Sequence, residues 1–364
     1  MPTKHQKNML EQMKVAYIHG RPSGHPVHNA YAKSLNADFI YVDHKIRWHD
    51  DIHASKFRIL LSWLVCAITF PNRKKYDLFF CEVVREPILF MRFLGLIGKK
   101  QKVISLMGNE TFYFLKTKRF NRIADFLVNS FIKNCDAIIC SGTYQAQIAK
   151  ELFPQQKIFA VNNGLTNERF LTLKGISYNP KSNKILIISD TPSDTRAFYK
   201  GIDLAFKAYQ LLKEKGYEIE LHILGSFTEE VKLKYLPLIV QQFRSQIFFH
   251  GRTAMEPFFS NSILCIHTAR GDAFPTSTIE CAAAGLPVLV SVSTGTQELM
   301  TSVSDLFVVE ENSEKIYERI KWFLDLPALE KEAYSENFRK ESLKYTVENA
   351  TKSFKEAIDA VMQS

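Results

Sequence analysis

Residues 270–287 read RGDAFPTSTIECAAAGLP. Two acids, Asp272 and Glu280, lie eight positions apart, with Phe274-Pro275 and three hydroxyl residues, Thr276, Ser277 and Thr278, between them. A small-residue run then closes on Gly285 and Pro287. The pattern is a loop that turns into a helix N-terminus. The first N–H groups of a helix have no intrahelical partner and its dipole is positive there, so such an end holds anions. A carboxylate one turn further along accepts from two hydroxyls at once. The pair of features suits a ligand with both a phosphate and a vicinal diol, as nucleotide sugars have. Ser277-x-x-Glu280 also has the form of a capping box, in which the glutamate serves only the helix end. With Asp272, Phe274 and Pro275 beside it, the diol reading is preferred.

Working outward, apolar runs at 184–189, 218–224, 247–250, 263–267, 288–292 and 306–309 read as strands, with helices at 202–215, 278–284 and 313–324. The first half repeats the theme, with strands at 14–19, 39–42, 78–81, 103–106 and 137–140. Strands alternating with helices, and apolar throughout rather than at every second position, argue for parallel sheets in an α/β protein. A length of 364 residues suits two domains. A linker containing Gly175, Asn179 and Pro180 separates residues 1–173 from residues 180–345, and residues 346–364 form a last helix. The polar residues 1–12 are expected to be disordered.

The stretch 272–288 resembles the E-x7-E signature of retaining GT-B glycosyltransferases of the family 4 type, here as Asp-x7-Glu, with Ala273 where glycine is usual. Other landmarks follow in order. Residues 161–170, VNNGLTNERF, resemble the segment that closes the first domain, and Lys200-Gly201 resembles the Lys-Gly after the first strand of the second. Leu224-Gly225 and Phe249-His250-Gly251 match later glycine positions. The resemblance is strong after residue 160 and weak before it. It implies two Rossmann-like domains facing a central cleft, the first binding the acceptor and the second the nucleotide sugar, with the final helix crossing back to the first domain.

The resemblance also distributes roles. Asp272 would lie beside the transferred sugar, and Lys200 would neutralise the leaving diphosphate. Relatives usually carry an Arg about five residues before that lysine, just after the strand; here that place reads Ser189-Asp190-Thr191, the loop to Lys200 is longer, and Arg196 within it is the expected substitute. These three form the expected catalytic set. Donor contacts would come from Glu280 to the ribose, from Thr276, Ser277 and Thr278 to the phosphates, from Phe274 and Pro275 of the same motif, from Gly24 in the first loop, and from Arg252 near the base. Glycine permits backbone approach that a Cβ would block, which is the interest of Gly20 and Gly24. His25, Asn109 and Glu110 are the candidates on the acceptor side, since Met107 stands where relatives carry histidine. No metal motif is evident, and no cofactor is expected beyond the nucleotide sugar as substrate, UDP favoured. The expected reaction moves a hexose or N-acetylhexosamine, with retention and without metal, to a glycan or lipid-linked acceptor in surface polysaccharide or glycolipid synthesis.

Charge is uneven. Residues 1–175 hold 26 Lys and Arg against 13 Asp and Glu, while the remainder holds 21 against 25. A basic half implies an anionic partner. In 62–75 and 112–133, basic residues interleave with aromatic and apolar ones, which suits an anionic membrane surface. No run reaches membrane-spanning length, no secretory h-region follows the N-terminus, and six scattered cysteines show no CxxC spacing. The expected place is therefore the cytoplasm, peripheral on the inner face of the membrane. Three other readings remain open: a nucleotide-sugar epimerase of the same fold, a degenerate glycosyltransferase, and a non-enzymatic nucleic-acid-binding protein, although no recognition-helix, zinc-finger or RNP motif is present and no nucleic acid is expected.

Overall fold

The computed structural model describes residues 13–20, 26–42, 56–70, 72–82, 86–108 and 110–363. Contacts divide the chain into two units, residues 1–162 with 347–364, and residues 163–346.

The first unit runs β1 (Val15–His19), α1 (Pro26–Ser34), β2 (Asp38–Tyr41), α2 (Lys56–Thr69), β3 (Leu78–Glu82), α3 (Glu86–Phe93), β4 (Lys102–Met107), α4 (Thr111–Lys116), α5 (Arg122–Asn134), β5 (Ala137–Ser141), α6 (Thr143–Leu152) and β6 (Ile158–Val161). All strands are parallel, in the order β2-β1-β3-β4-β5-β6. Every residue of β1, β3 and β5 is buried. That is the expected state of strands covered on both faces, and it is why their sequences do not alternate. Strand β6 was not among the expected strands; only four residues long and half-buried at the sheet edge, it has a weak apolar signal.

The second unit runs α7 (Asn167–Lys174), β7 (Lys184–Ile188), α8 (Asp194–Tyr199), α9 (Ile202–Glu214), β8 (Glu220–Leu224), α10 (Glu229–Tyr235), β9 (Ile247–Gly251), α11 (Glu256–Asn261), β10 (Leu264–His267), α12 (Thr276–Ala283), β11 (Val288–Ser291), α13 (Gln297–Val303), β12 (Val308–Val309), α14 (Ser313–Asp325) and α15 (Ala328–Ser342). Its sheet is also parallel, in the order β12-β11-β10-β7-β8-β9. The division between units falls at residue 162, not in the linker expected after 173. Helix α7 is drawn into the second unit because it packs on α12 and its Arg169 side chain bonds there.

The last helix, α16 (Val347–Met362), returns to the first unit. Its buried residues Ala350, Phe354, Ala357, Ile358 and Val361 recur at helical spacing. Phe354 stacks on Tyr31 with ring centroids 4.5 Å apart and meets Phe80 of β3 at 5.1 Å.

In each sheet the chain leaves one central strand in one direction and resumes on its other side. This reversal lies between β1 and β3 in the first unit and between β7 and β10 in the second. Open parallel sheets bind ligands beyond the carboxyl ends of their strands at such points.

Candidate functional site

At the second reversal the loops after β7 and β10 are locked together. Gly201 has φ +66°, and a Cβ there would lie 1.9 Å from the carbonyl oxygen of Thr268. Only glycine accepts both that conformation and that approach. Arg270 forks onto Asp203 with both bonds at 2.7 Å, a bidentate pair, and the Tyr199 hydroxyl donates to the Gly271 carbonyl at 2.7 Å. From below, the Gly295 amide donates to the Asp272 carbonyl at 2.8 Å, and a Cβ on Gly295 would sit 1.6 Å from the Ala273 carbonyl oxygen.

The lock brings three ionisable side chains to one point. Lys200 Nζ donates to Asp272 Oδ2, and His267 Nε2 lies 2.9 Å from the same oxygen. Their side chains are only 11, 14 and 6% exposed for Lys200, Asp272 and His267. Burial alone would raise the Asp272 pKa, but the charge of Lys200 and the hydrogen bond from His267 hold it far below the ordinary carboxylate range. Burial lowers the His267 pKa, against the pull of Asp272. At neutral pH this favours the uncharged imidazole beside the Lys200–Asp272 pair. Buried ion pairs give weak net stability, and groups shifted by burial together with a specific charged partner cluster at functional sites.

One turn away, Glu280 lies within α12. That helix starts at Thr276 with Pro275 as N-cap and no side-chain cap hydrogen bond. Glu280 is thus too far into the helix to close a capping box. Its partner is Arg169, whose Nε donates to Oε1 at 2.5 Å while Nη1 donates to Glu256. Burial raises the Glu280 pKa, opposed by Arg169. Thr276 and Ser277 are partly exposed at the helix start. Thr278 is buried, donating to the Pro275 carbonyl at 2.7 Å and sharing a bond with Thr296 at 2.8 Å, so its hydroxyl holds the loop. Phe274 is buried in the core of this unit, its ring 6.0 Å from Tyr345.

The two arginines lie elsewhere. Arg196, in α8, donates from Nε to the Asp190 carbonyl at 3.4 Å, and Arg252 forks onto the Asp190 carboxylate at 3.1 and 2.5 Å. Burial would raise the Asp190 pKa, but Arg252 and Ser226 bring it to about 2. Both arginines therefore gather at the end of β7, around Asp190, rather than at Asp272. Gly24, His25 and Asn109 lie outside the described residues. Glu110 is the N-cap of α4, and Met107 is buried at the end of β4.

The reversal in the first unit holds a second polar group, which the sequence reading did not single out. Glu82 ends β3 and is buried; the Tyr17 hydroxyl donates to its Oε2, and His28 Nδ1, in α1, lies 2.9 Å from its Oε1. Register aligns Tyr41, His19 and Glu82 across β2, β1 and β3, so all three end on one row. His267, Arg169, Glu256 and Glu82 were all missed. The available signal for His267 and Glu82 was that each is a polar residue ending an apolar strand.

Residues 183–341 match the family model described as Glycosyl transferases group 1. A protein of Haemophilus influenzae described as an uncharacterized glycosyltransferase is 28% identical over 279 residues, covering 75% of this chain and 74% of its own. Among solved structures, a sucrose-phosphate synthase from Thermosynechococcus elongatus superposes with a TM-score of 0.72 at 12% identity, covering 97% of this chain and all of its own. HepE of Anabaena, solved with UDP-glucose, gives 0.66 at 12% identity, covering 96% of this chain and 100% of its own. At such identities these two structures speak for the fold, which is GT-B.

Proposed function

Since residues 183–341 are a glycosyl transferase group 1 domain in a chain of GT-B fold, we propose that this glycosyltransferase moves a hexose or N-acetylhexosamine from a nucleotide sugar, UDP-linked in the favoured case, to a glycan or lipid-linked acceptor of a surface polysaccharide or glycolipid. The observation that carries this reading is the buried Lys200–Asp272–His267 cluster at the reversal between β7 and β10. A cation beside the leaving diphosphate is worth most as charge grows there in the transition state, which lowers the barrier selectively. Asp272 keeps Lys200 in place before substrate arrives, and its own charge favours a sugar carbon that gains positive character. Neutral His267 fixes the carboxylate without adding a competing cation. The start of α12, with Thr276 and Ser277, offers backbone N–H groups to the phosphates.

Glu280 is proposed to take the ribose hydroxyls. Arg169 holds it meanwhile, so that nucleotide binding exchanges one partner of a buried carboxylate for another without leaving it unpaired. With Lys200 supplying the cation, the transfer is proposed to proceed without metal and with retention, the leaving phosphate taking the acceptor proton. The acceptor is assigned to the first unit, at the Glu82, His28 and Tyr17 group, and the enzyme to the inner face of the membrane. HepE supports UDP as the carrier only through its likeness in fold.

Thermal unfolding with UDP, GDP, ADP, CMP and their common sugar conjugates, in the presence of EDTA, tests the donor site. A midpoint rise with one nucleotide, larger for one conjugate, names the donor. A flat result across the panel overturns the reading in favour of a degenerate enzyme.

A further inference from the structure

We propose that the first unit docks on an anionic phospholipid bilayer through the outer face of α2, α3 and α5. This extends the acceptor side of the reading above and is independent of the donor site. Helix α2 packs on α3 and α3 on α5, with Trp63 and Phe90 in ring contact at 6.4 Å. The three helices therefore form one continuous layer. On α2 the inward residues Trp63 and Ala67 are buried, yet Leu61, Val65 and Ile68 on the other side are 47, 50 and 55% exposed. A helix apolar on both sides is normally covered on both. The same layer exposes Phe93 and Leu94 at the end of α3, and Ile123 and Phe126 on α5, with Phe126 at 65%. These seven lie on three helices packed in one layer, and monomers rarely show so much apolar surface without a use for it.

Charge decides which occupant fits. The Gln101 side chain donates to the carbonyls of Arg73 and Tyr76 at 2.8 and 2.7 Å, and Arg92 bonds the Gly98 carbonyl at 3.3 Å. These bonds hold the Arg73–Lys75 turn against the turn that carries Lys99 and Lys100. Arg73 also donates to the Ile68 carbonyl at 3.2 Å, so this basic corner adjoins the exposed apolar end of α2. Beside α5, exposed Lys118 and Arg122 precede Ile123. Basic residues from two segments far apart in sequence thus stand beside the exposed apolar residues of this layer. Apolar side chains that enter the headgroup region and Lys or Arg that meet lipid phosphates are the two parts of interfacial binding. Among the described residues no helix is long and apolar enough to cross a membrane, so this is a face for lying on a bilayer. A nucleic acid would match the charge but leave the apolar residues exposed.

Sedimentation with vesicles tests the proposal, using phosphatidylcholine alone and phosphatidylcholine with 30% phosphatidylglycerol, nucleotide absent. Binding to the mixed vesicles is expected at least tenfold above that to neutral ones, and falling at least tenfold in 0.5 M NaCl as screening predicts. Phe93→Ser with Leu94→Ser, and separately Lys99→Glu with Lys100→Glu, should each weaken it about tenfold while the thermal midpoint holds, since all four are exposed. Equal binding to both vesicle types, or to neither, overturns the proposal. So does tight binding to duplex DNA that ignores the Phe93 and Leu94 changes, which would mark a polyanion surface instead. Because no nucleotide is present, failure here leaves the donor reading standing, and a failed nucleotide panel leaves this one standing.

Discussion

The two units share a six-stranded parallel sheet with a reversal of strand order near its centre, yet they place different chemistry there. In the second unit the reversal carries Lys200 and Asp272 with His267 and, on the adjoining helix, Glu280 with Arg169. In the first, among the described residues, it carries Glu82, which accepts from the Tyr17 hydroxyl and lies 2.9 Å from His28 Nδ1, beside an aromatic row. The contrast teaches that one architecture supplies the place and the strand-end residues supply the ligand class. Under the function proposed above, the paired charges would meet the nucleotide diphosphate and the Glu82 group the saccharide.

The division of labour is open to breakage. Asp272→Asn should cut transfer by about 100-fold or more, the scale of losing a preorganised charge, while nucleotide affinity changes by less than about 3-fold. Steady-state rates beside nucleotide titration decide it, and equal losses in both would remove Asp272 from the sugar. Glu280→Gln should weaken nucleotide binding by about 10- to 100-fold, the loss of a charged hydrogen bond. Unchanged affinity by calorimetry ends the ribose assignment. For the first unit, Glu82→Gln should lower transfer by about 10-fold with nucleotide binding intact. A matching loss of nucleotide affinity would erase the contrast between the units.

Two further effects are smaller and concern stability. Gly201→Ala should cost about 2–4 kcal/mol, because alanine resists positive φ and its methyl meets Thr268. Unfolding in urea measures it, and a cost below about 0.5 kcal/mol would show that the loop lock is slack. His267 has a folded pKa lowered by burial, so the unfolded chain takes up its proton first. Its contribution is complete above an ordinary pKa of about 6.5 and fades as pH falls below it. Asp272, held low by Lys200 and His267 against burial, keeps its contribution until the pH drops below about 3.9. The thermal midpoint should therefore decline between pH 7 and pH 5, and decline less in His267→Gln. An equal decline would trace the effect to other groups.

Much of the second unit was legible in the sequence. Six apolar runs became β7 to β12, and the run 270–287 became the loop and helix expected of it. Such strands are buried on both faces, so their apolar composition is imposed by the fold and visible without it. The first unit was less legible. Strand β6 was missed because an edge strand needs little apolar character. Phe274 fitted the signature by sequence and proved to be a core residue against Tyr345. Arg196 and Arg252, 56 positions apart, meet at Asp190, which no local pattern announced.

From sequence alone come the α/β class, the family resemblance and the identity of Asp272, Lys200 and Glu280 as the residues to watch. These follow from local rules: periodicity, helix-end chemistry and motif spacing act over a few residues. Pairings across 72 positions, such as Lys200 with Asp272, and across 111, such as Arg169 with Glu280, exist only in the folded chain. So do the union of α2, α3 and α5 into one layer and the meeting of Tyr17, His28 and Glu82. Contacts between distant residues depend on strand order and on the glycines that let loops touch, and no local pattern encodes either.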